Sequence, residues 1–474
     1  MSHQGQPCPL VINHQTLKQV IDWLLAPAVF AGLRGRRQAT WKPRLLAATA
    51  LLWATSDLPT LHARFVQARK VIAKVFRWQL APGVSCQGFL KMLAKWQPEL
   101  LGALVPHLRD QMRDGHPVPW KTAGYAVFAV DGSRVALARS ESLEAAFAPQ
   151  RHRRRTARQK ESMRARGTPK KQTAAARQKK ATSPQLWLTL LWHMGSGLPW
   201  TWRTGPSGAS EREHLLAMVP ELPAQALLVA DAGFVGYELG QALLAAGHHL
   251  VIRVGANVRL LRQLGWTREH AQVVYLWPDA AARHHQLPLV LRLVVVLDGR
   301  QPVYLVTDLP KTRLSDRQAA TIYGARWGVG VFFRTFKQTF GCRKLRSRSA
   351  RNAQLELEWA LLGVWGICLL GRRELETSGQ DPARVSPAAA LHAFQSTLRE
   401  YRVRPTAPAD TLWSQLRCAR QDDYQRRAAK TSRAYPRKKH YAPIGIPRIT
   451  LATAHQIAQA AALQQPHPEF RLAA

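Results

Sequence analysis

The chain has 474 residues and carries 68 Lys+Arg against 29 Asp+Glu, a formal net charge of +39 at pH 7. This excess of positive charge predicts a polyanionic partner, and a hydrophobic content of 46% excludes disorder as the general state. The longest apolar stretches, 45–54 and 359–370, are shorter than the roughly 18 to 20 residues of a membrane span, so we expect no membrane segment. The five cysteines are scattered without a C-x-x-C pair, which argues against a disulfide framework or a zinc site and favours a reducing compartment.

The N-terminal region has the apolar spacing of helices. Apolar residues recur three and four positions apart from about Leu17 to Met112. We therefore predict an all-α N-terminal domain over residues 1–116. The basic residues on these helices are compatible with binding a DNA end and equally with an ordinary solvated helix face.

The next region combines short apolar runs with helices and places two aspartates at predicted strand ends. The apolar run 125–130 is followed by Asp131, and a second buried run, 226–230, is followed by Asp231. A hairpin around the turn M-G-S-G lies between the two runs. Together these features predict a mixed α/β sheet over residues 117–254, with two carboxylates at strand ends.

Positive charge is concentrated in two segments. Residues 151–180 hold 13 Lys/Arg and a single acid, a local net charge of +12, and we expect a solvated loop. A second cluster lies between Arg417 and Lys439, within a basic C-terminal tail predicted over 401–474. Both segments suit phosphate contacts; the alternative is that they only increase solubility.

A β-rich insertion is predicted over residues 255–310, where apolar runs of strand length are separated by polar turns. Helical spacing returns in 311–400. Drawn as one helix from Asp316 to Thr339, the sequence forms a narrow polar stripe opposite an apolar face. The stripe consists of Tyr323, Arg326, position 330, Arg334 and Lys337. Such a stripe suits contact with a phosphate backbone, although solvated Arg/Lys stripes are also common.

Asp131 and Asp231 together predict a metal site. Two carboxylates at neighbouring strand ends can bridge divalent cations, one activating an attacking oxygen and the other stabilising the leaving oxygen of a phosphodiester. Mg²⁺ suits these ligands, and Mn²⁺ can substitute for it. A single aspartate of this kind would more simply be a turn residue. The occurrence of two, followed by the cationic helix, favours metal binding.

These motifs resemble those of DDE-class insertion-sequence transposases, in the bacterial group whose third catalytic segment reads Tyr, two residues, Arg, three residues, Glu, six residues, Lys. The matching positions are Tyr323, Arg326 and Lys337 in that segment, Asp131-Gly132 for the first acidic motif, and Asp231-Ala232-Gly233-Phe234 for the second. The resemblance covers about residues 120–350.

The resemblance implies a ribonuclease-H-like (retroviral-integrase-like) catalytic core that performs cut-and-paste DNA strand transfer with two Mg²⁺ ions. Asp131 would bridge both metals, and Asp231 would hold the one that activates water or a 3′-hydroxyl. The partners would be double-stranded DNA, as transposon ends and target, and a second copy of the chain in a synaptic complex. The implied location is cytoplasmic and nucleoid-associated. In the family, a tryptophan of the insertion stacks on a flipped base; Trp266 and Trp277 are candidates here, with core packing as the alternative.

The predicted DNA contacts extend beyond the third segment. They are Tyr323, Arg326, Arg334, Lys337, Lys344, Arg346, Arg348, Arg153, Arg154, Arg155 and Trp277.

One position departs from the family pattern. The family has Glu where this chain has Gly330, and no acid occurs between Asp316 and Glu356. We expect Glu356 and Glu358 to face solvent or pair with arginines instead of replacing it. The sequence therefore predicts a transposase with impaired cleavage. The alternatives are a non-catalytic DNA-binding protein derived from a transposase and a ribonuclease-H-like nuclease.

Overall fold

The fold is mixed α/β, as predicted. A computed structural model describes residues 9–33, 40–77, 84–114, 120–148, 183–268, 270–298, 301–400, 411–422 and 444–464. The α-helices in these ranges are α1 (Pro9–Leu24), α2 (Pro43–Thr55), α3 (Leu61–Val75), α4 (Cys86–Asp114), α5 (Glu141–Phe147), α6 (Glu211–Leu216), α7 (Tyr237–Ala245), α8 (Asp279–Arg283), α9 (Asp316–Ala325), α10 (Gly328–Gln338), α11 (Ala350–Thr377), α12 (Pro387–Glu400), α13 (Leu412–Arg417) and α14 (Ala454–Gln464). The strands are β1 (Val127–Ala136), β2 (Gln185–His193), β3 (Leu198–Gly205), β4 (Leu227–Ala230), β5 (His249–Val254), β6 (Arg259–Arg262), β7 (Val273–Leu276), β8 (Leu289–Asp298), β9 (Gln301–Thr307) and β10 (Arg448–Leu451).

All of these strands belong to one sheet, in the order β10-β6-β7-β8-β9-β5-β4-β1-β2-β3. At one end, β1 runs parallel to β4 and β4 parallel to β5, whereas β2 is antiparallel to both β1 and β3. All four residues of β4 are buried, because helices or loops cover both faces of the sheet there. The hairpin β2–β3 turns at residues 194–197, where the sequence predicts it.

The first strand differs from its prediction. The sequence predicts an end at Asp131, but β1 continues to Ala136 because its residues stay paired with β2 from Phe128 to Ala136. Pairing with β4 reaches only Ala129. Asp131 therefore lies in mid-strand, at the point where one neighbour has ended and the other continues.

The strands of region 255–310 extend the same sheet. β9 pairs antiparallel with β5, and β8 pairs with β9. Part of the region predicted as a basic tail is also structured, since β10 pairs parallel with β6 and is followed by α14. The predicted domain boundaries at 116, 254, 310 and 400 stay predictions.

The described parts of residues 9–114 contain helices and no strand, and they pack on later helices. The central contact is with α11, which packs against α2, α4, α12 and α13. In α11, Trp359 and Trp365 are fully buried. Among the described residues α11 is long and apolar enough to cross a membrane, yet 89% of its apolar window is buried inside the protein, as in a core helix.

The prediction of one continuous helix over Asp316–Thr339 is wrong. The structure has two helices, α9 and α10. At the junction the backbone makes hydrogen bonds of the 3₁₀ type, to the carbonyl three residues earlier: Arg326 N donates to Tyr323 O at 3.2 Å, and Gly330 N donates to Trp327 O at 3.1 Å. Glycines around the junction favour this break because glycine is a poor helix former. The predicted apolar face is still present: Val329, Phe332 and Phe336 are buried.

Candidate active site

The sheet register brings the two predicted aspartates together. Ala129 of β1 is paired with Val229 of β4 in the parallel ladder. Asp131 and Asp231 each follow two residues later, so both emerge at the same level of adjacent strands. Their proximity has an electrostatic consequence, since the charge of Asp231 helps to raise the pKa of Asp131.

Each aspartate is oriented by a backbone amide. Gly132 N donates to Asp131 Oδ1 at 2.9 Å, and Gly233 N donates to Asp231 Oδ1 at 2.8 Å. At Gly233 a Cβ would lie 3.0 Å from that same carboxylate oxygen, so glycine allows the close turn. In both aspartates this bond occupies one carboxylate oxygen and leaves the other available for a ligand.

Basic side chains of α9 and α10 lie next to this pair. Lys337 Nζ donates to Ser133 Oγ at 2.7 Å, two residues along β1 from Asp131. Burial raises the pKa of Asp131, and Asp231 adds to this, whereas the Gly132 amide, Arg326 and Lys337 act in the opposite direction. Burial lowers the pKa of Lys337. The structure thus places Arg326 and Lys337 where the sequence predicts them, beside the acids.

Arg326 has an incomplete set of partners. Its guanidinium carbon lies 5.5 Å from the centre of the Tyr323 ring. Its Nε is buried and has no hydrogen-bond acceptor among the residues that the structure describes. A buried guanidinium N–H without an acceptor is costly, and an anionic group of a ligand would satisfy it.

Gly330 lies on α10 between Arg326 and Lys337. A Cβ built there would have only the Trp327 ring within 4 Å, at 3.4 Å, so a larger side chain has room. The Trp327 side chain is 73% exposed. Arg334, one turn further along, is exposed. Glycine at this position is therefore not required by packing.

A third acid, Glu211, lies at this site, although it belongs to none of the motifs that the sequence shows. Glu211 is the first residue of α6, whose N-cap Ser210 accepts a hydrogen bond from Glu213 N at 3.3 Å. A Cβ on Gly132 would lie 1.8 Å from Glu211 Oε1, so this carboxyl lies directly over the backbone that follows Asp131. Burial raises the pKa of Glu211 to about 7, with further contributions from Asp131 and Asp231. The sequence shows only a helix-capping pattern there, which carries no information on this long-range contact.

The acids of α11 do not take part in this site. Glu356 is 8% exposed and accepts hydrogen bonds from the amides of Arg346, at 3.0 Å, and Ser347, at 2.8 Å. Glu358 accepts a hydrogen bond from Gln97, and burial raises its pKa. The expectation that these glutamates face solvent or pair with arginine side chains is wrong for Glu356, whose carboxylate is buried against backbone amides. Glu358 is partly exposed and is bound by the Gln97 side chain.

The other predicted contacts have different surroundings. Lys344, Arg346 and Arg348 are exposed at alternate positions of an extended segment that is hydrogen-bonded to the end of β1 through Leu345 N and Ala136 O, at 2.9 Å. Trp277 is 3% exposed and donates to Gln286 O at 2.8 Å, and Trp266 is also 3% exposed, which favours the packing alternative for both. Arg153, Arg154 and Arg155 and the cluster 423–443 lie outside the described residues.

The donor set fits a hard divalent cation. Asp131 and Asp231 each present a free carboxylate oxygen, and Mg²⁺ is typically held by one or two carboxylates together with waters and substrate phosphates. Among the described residues, no group of three or more His, Cys, Asp or Glu side chains already converges on a metal position. The pair of aspartates is thus the part of the site that could hold Mg²⁺ or Mn²⁺.

The chain is similar to known transposases. The family model for the transposase DDE domain matches residues 122–364, which include both aspartates and the α9–α10 segment. This chain belongs to the DDE transposase family. A relative, the transposase InsG of insertion sequence element IS4 from Escherichia coli (strain K12), is 25% identical over 213 residues, 43% of this chain and 47% of the relative. The chain thus spans about half the length of that relative.

Among solved structures, the chain is similar to a piggyBac transposase synaptic complex with hairpin DNA. The TM-score is 0.37 at 12% identity, and the match covers 91% of this chain and 89% of the other.

Proposed function

We propose that this chain is a cut-and-paste transposase that binds double-stranded transposon ends and target DNA and catalyses metal-dependent phosphodiester hydrolysis and strand transfer. The observation that carries the proposal is the pairing of Asp131 with Asp231 beside Arg326 and Lys337, in a chain that belongs to the DDE transposase family. The order β3-β2-β1-β4-β5, with β2 antiparallel to its neighbours, supports a ribonuclease-H-like core.

Different residues of the site would bind the metal ion and the phosphodiester. Mg²⁺, for which Mn²⁺ could substitute, would supply Lewis-acid activation when bound. Asp131 and Asp231 would hold it through the oxygens that their backbone hydrogen bonds leave free. Arg326, whose buried Nε has no acceptor among the described residues, would bind a phosphate oxygen next to the scissile bond. Lys337 and Tyr323 would add further phosphate contacts.

DNA would continue along a basic surface beyond the site. Arg334 is exposed on α10, and Lys344, Arg346 and Arg348 are exposed along the segment beside the end of β1. Contacts of this kind position the duplex without reading its sequence. A homodimer would bring two ends together, and action on chromosomal DNA would place the protein in the cytoplasm, associated with the nucleoid.

Gly330 should reduce cleavage. The family places a third acid at this position, and α9 and α10 offer no replacement after Asp316. A loss of a few kcal/mol of transition-state stabilisation corresponds to a rate on the order of a thousandfold lower. Gly330→Glu has room for its Cβ, so we expect this variant to fold and to cleave faster.

The test is Mg²⁺-dependent nicking of DNA that carries the terminal repeats flanking the gene. We expect weak nicking by the natural sequence, nicking on the order of a thousandfold faster by Gly330→Glu, and none by Gly330→Glu/Asp231→Asn. Gly324→Ala is the matched glycine control, because Gly324 is exposed near the end of α9 and a Cβ there meets no other atom within 4 Å. Equal, robust nicking by the natural sequence and Gly330→Glu would overturn the proposed impairment.

A non-catalytic DNA-binding protein is the second candidate function, and Gly330 is the observation that favours it. Such a protein would bind the terminal repeats tightly, and Gly330→Glu would not restore nicking. Retention of Asp131, Asp231 and the Arg326–Lys337 pair favours the transposase, because a protein that only binds DNA has no need for paired acids next to phosphate-binding groups.

A further inference from the structure

The geometry points to Glu211 as a third carboxylate ligand for the divalent cation held by Asp131 and Asp231. This inference rests on the proposed function, since it concerns the same metal. It assigns a metal-binding role to a residue outside the two aspartate motifs and the third segment.

Two local features determine where Glu211 lies: the absence of a side chain at Gly132 and a hydrogen bond of its neighbour Arg212. Gly132 has no side chain, and the Glu211 carboxyl fills the space that a Cβ would need, 1.8 Å from Oε1. Arg212 Nε donates to Gly233 O at 2.8 Å, which ties the first turn of α6 to the turn that follows Asp231. Glu211 thus lies against the segment that follows Asp131, and its neighbour Arg212 ties the start of α6 to the segment that follows Asp231.

No described residue is a direct partner of the Glu211 carboxylate. Among the described residues it accepts no hydrogen bond and forms no ion pair within 4.0 Å, although it is only partly exposed. Arg134 is the cation that acts on it, without direct contact. A half-buried carboxylate beside two others is unfavourable unless a cation compensates the repulsion. Arg326, whose charge acts on Asp131, has a buried Nε without an acceptor in the described part of the chain, and an anionic group such as a phosphate would supply one.

Glu211 and position 330 lie on different helices, so they would reach the metal from different directions. Glu211 reaches the aspartates from α6, whereas position 330 lies on α10 between Arg326 and Lys337. No described group of three acids already converges on one point, so the Glu211 side chain must turn from its place over Gly132 to bind the ion. No hydrogen bond to a described residue opposes that rotation. Glu211 would therefore retain a metal in a chain with Gly330, without restoring the ligand that the third segment lacks.

The test is Mn²⁺ affinity, measured by electron paramagnetic resonance of free Mn²⁺ with the full chain at fixed pH and no DNA. We expect Glu211→Gln to weaken Mn²⁺ binding by about tenfold or more, as the loss of one charged ligand should. Glu213→Gln is the matched control, because Glu213 is exposed on the same turn, and it should bind Mn²⁺ as the natural sequence does. Gly330→Glu/Glu211→Gln should recover affinity, which also shows that the Gln substitution permits folding.

The outcomes separate this inference from the proposed function. If Asp131→Asn and Asp231→Asn weaken binding but Glu211→Gln does not, the role of Glu211 is overturned and the aspartate site stands. If the natural sequence does not bind Mn²⁺, or if the aspartate variants bind it equally well, the proposed function is overturned as well. Loss in Glu211→Gln together with recovery in the double variant supports both.

Discussion

Glu356 and Glu211 are two poorly exposed acids whose surroundings are opposite. Glu356, inside α11, accepts hydrogen bonds from the amides of Arg346 and Ser347. Glu211, at the start of α6, accepts none from the described residues and lies next to Asp131 and Asp231. The fold provides donors to the first carboxylate, whereas no described residue donates to the second.

The difference separates a structural acid from a functional one. A buried carboxylate with several N–H donors stabilises the chain that surrounds it. An acid that lies beside two other acids and has no hydrogen-bond donor destabilises the folded protein. Under our proposal, a bound cation compensates this repulsion. Substitution of Glu356 should therefore lower the free energy of unfolding, and substitution of Glu211 should lower the affinity for a metal ion.

The largest expected effect on stability is that of Glu356→Ala. Removing this carboxylate leaves the partly buried amide of Arg346 and the buried amide of Ser347 without their acceptor, which costs about 3 kcal/mol. Urea and thermal unfolding should both show the loss, whereas Mn²⁺ affinity should not change. Gln354→Ala, at an exposed position of the same helix, is the control. Equal stabilities of the two variants would show that Glu356 is not a structural acid.

A smaller effect is expected for Glu358→Gln, because Glu358 has one donor, Gln97, among the described residues. Burial raises the pKa of Glu358 above its unfolded value, so its contribution to stability is fully present below the unfolded pKa and is lost as the pH rises through the folded pKa. Glutamine removes this titration and keeps an acceptor for Gln97. Thermal unfolding from pH 4.5 to pH 8 should show the variant gaining on the natural sequence by about 1 kcal/mol or less. A difference that is constant over this range would contradict the assignment.

Much of the chain follows its local patterns. The run 226–230 contains the buried strand β4, as predicted, because apolar residues fill a strand-length segment. The break after Ala325 was missed because the apolar periodicity continues across it, and only the glycines weaken the helix. The extension of β1 beyond Asp131 depends on its pairing with β2, a partner distant in sequence.

The candidate site was predicted in part for the same reason. Asp131 and Asp231 follow apolar strands, so their proximity could be inferred from the parallel order of the strands. Glu211 lies at the site because the hairpin β2–β3 and the turn after it place the start of α6 there. Nothing in the local sequence distinguishes Glu211 from Glu213. Side chains brought together by such connections need coordinates to be recognised.

The most direct test of the metal site is to map where a bound metal lies. Fe²⁺ can replace Mg²⁺ at a carboxylate site, and with ascorbate and peroxide it cuts the nearby backbone through hydroxyl radicals. We predict cuts close to residues 131, 211 and 231, which Asp131→Asn abolishes and excess Mg²⁺ suppresses. Cuts elsewhere in the chain, or an Asp131→Asn pattern identical to that of the natural sequence, would contradict a metal centre at the paired aspartates.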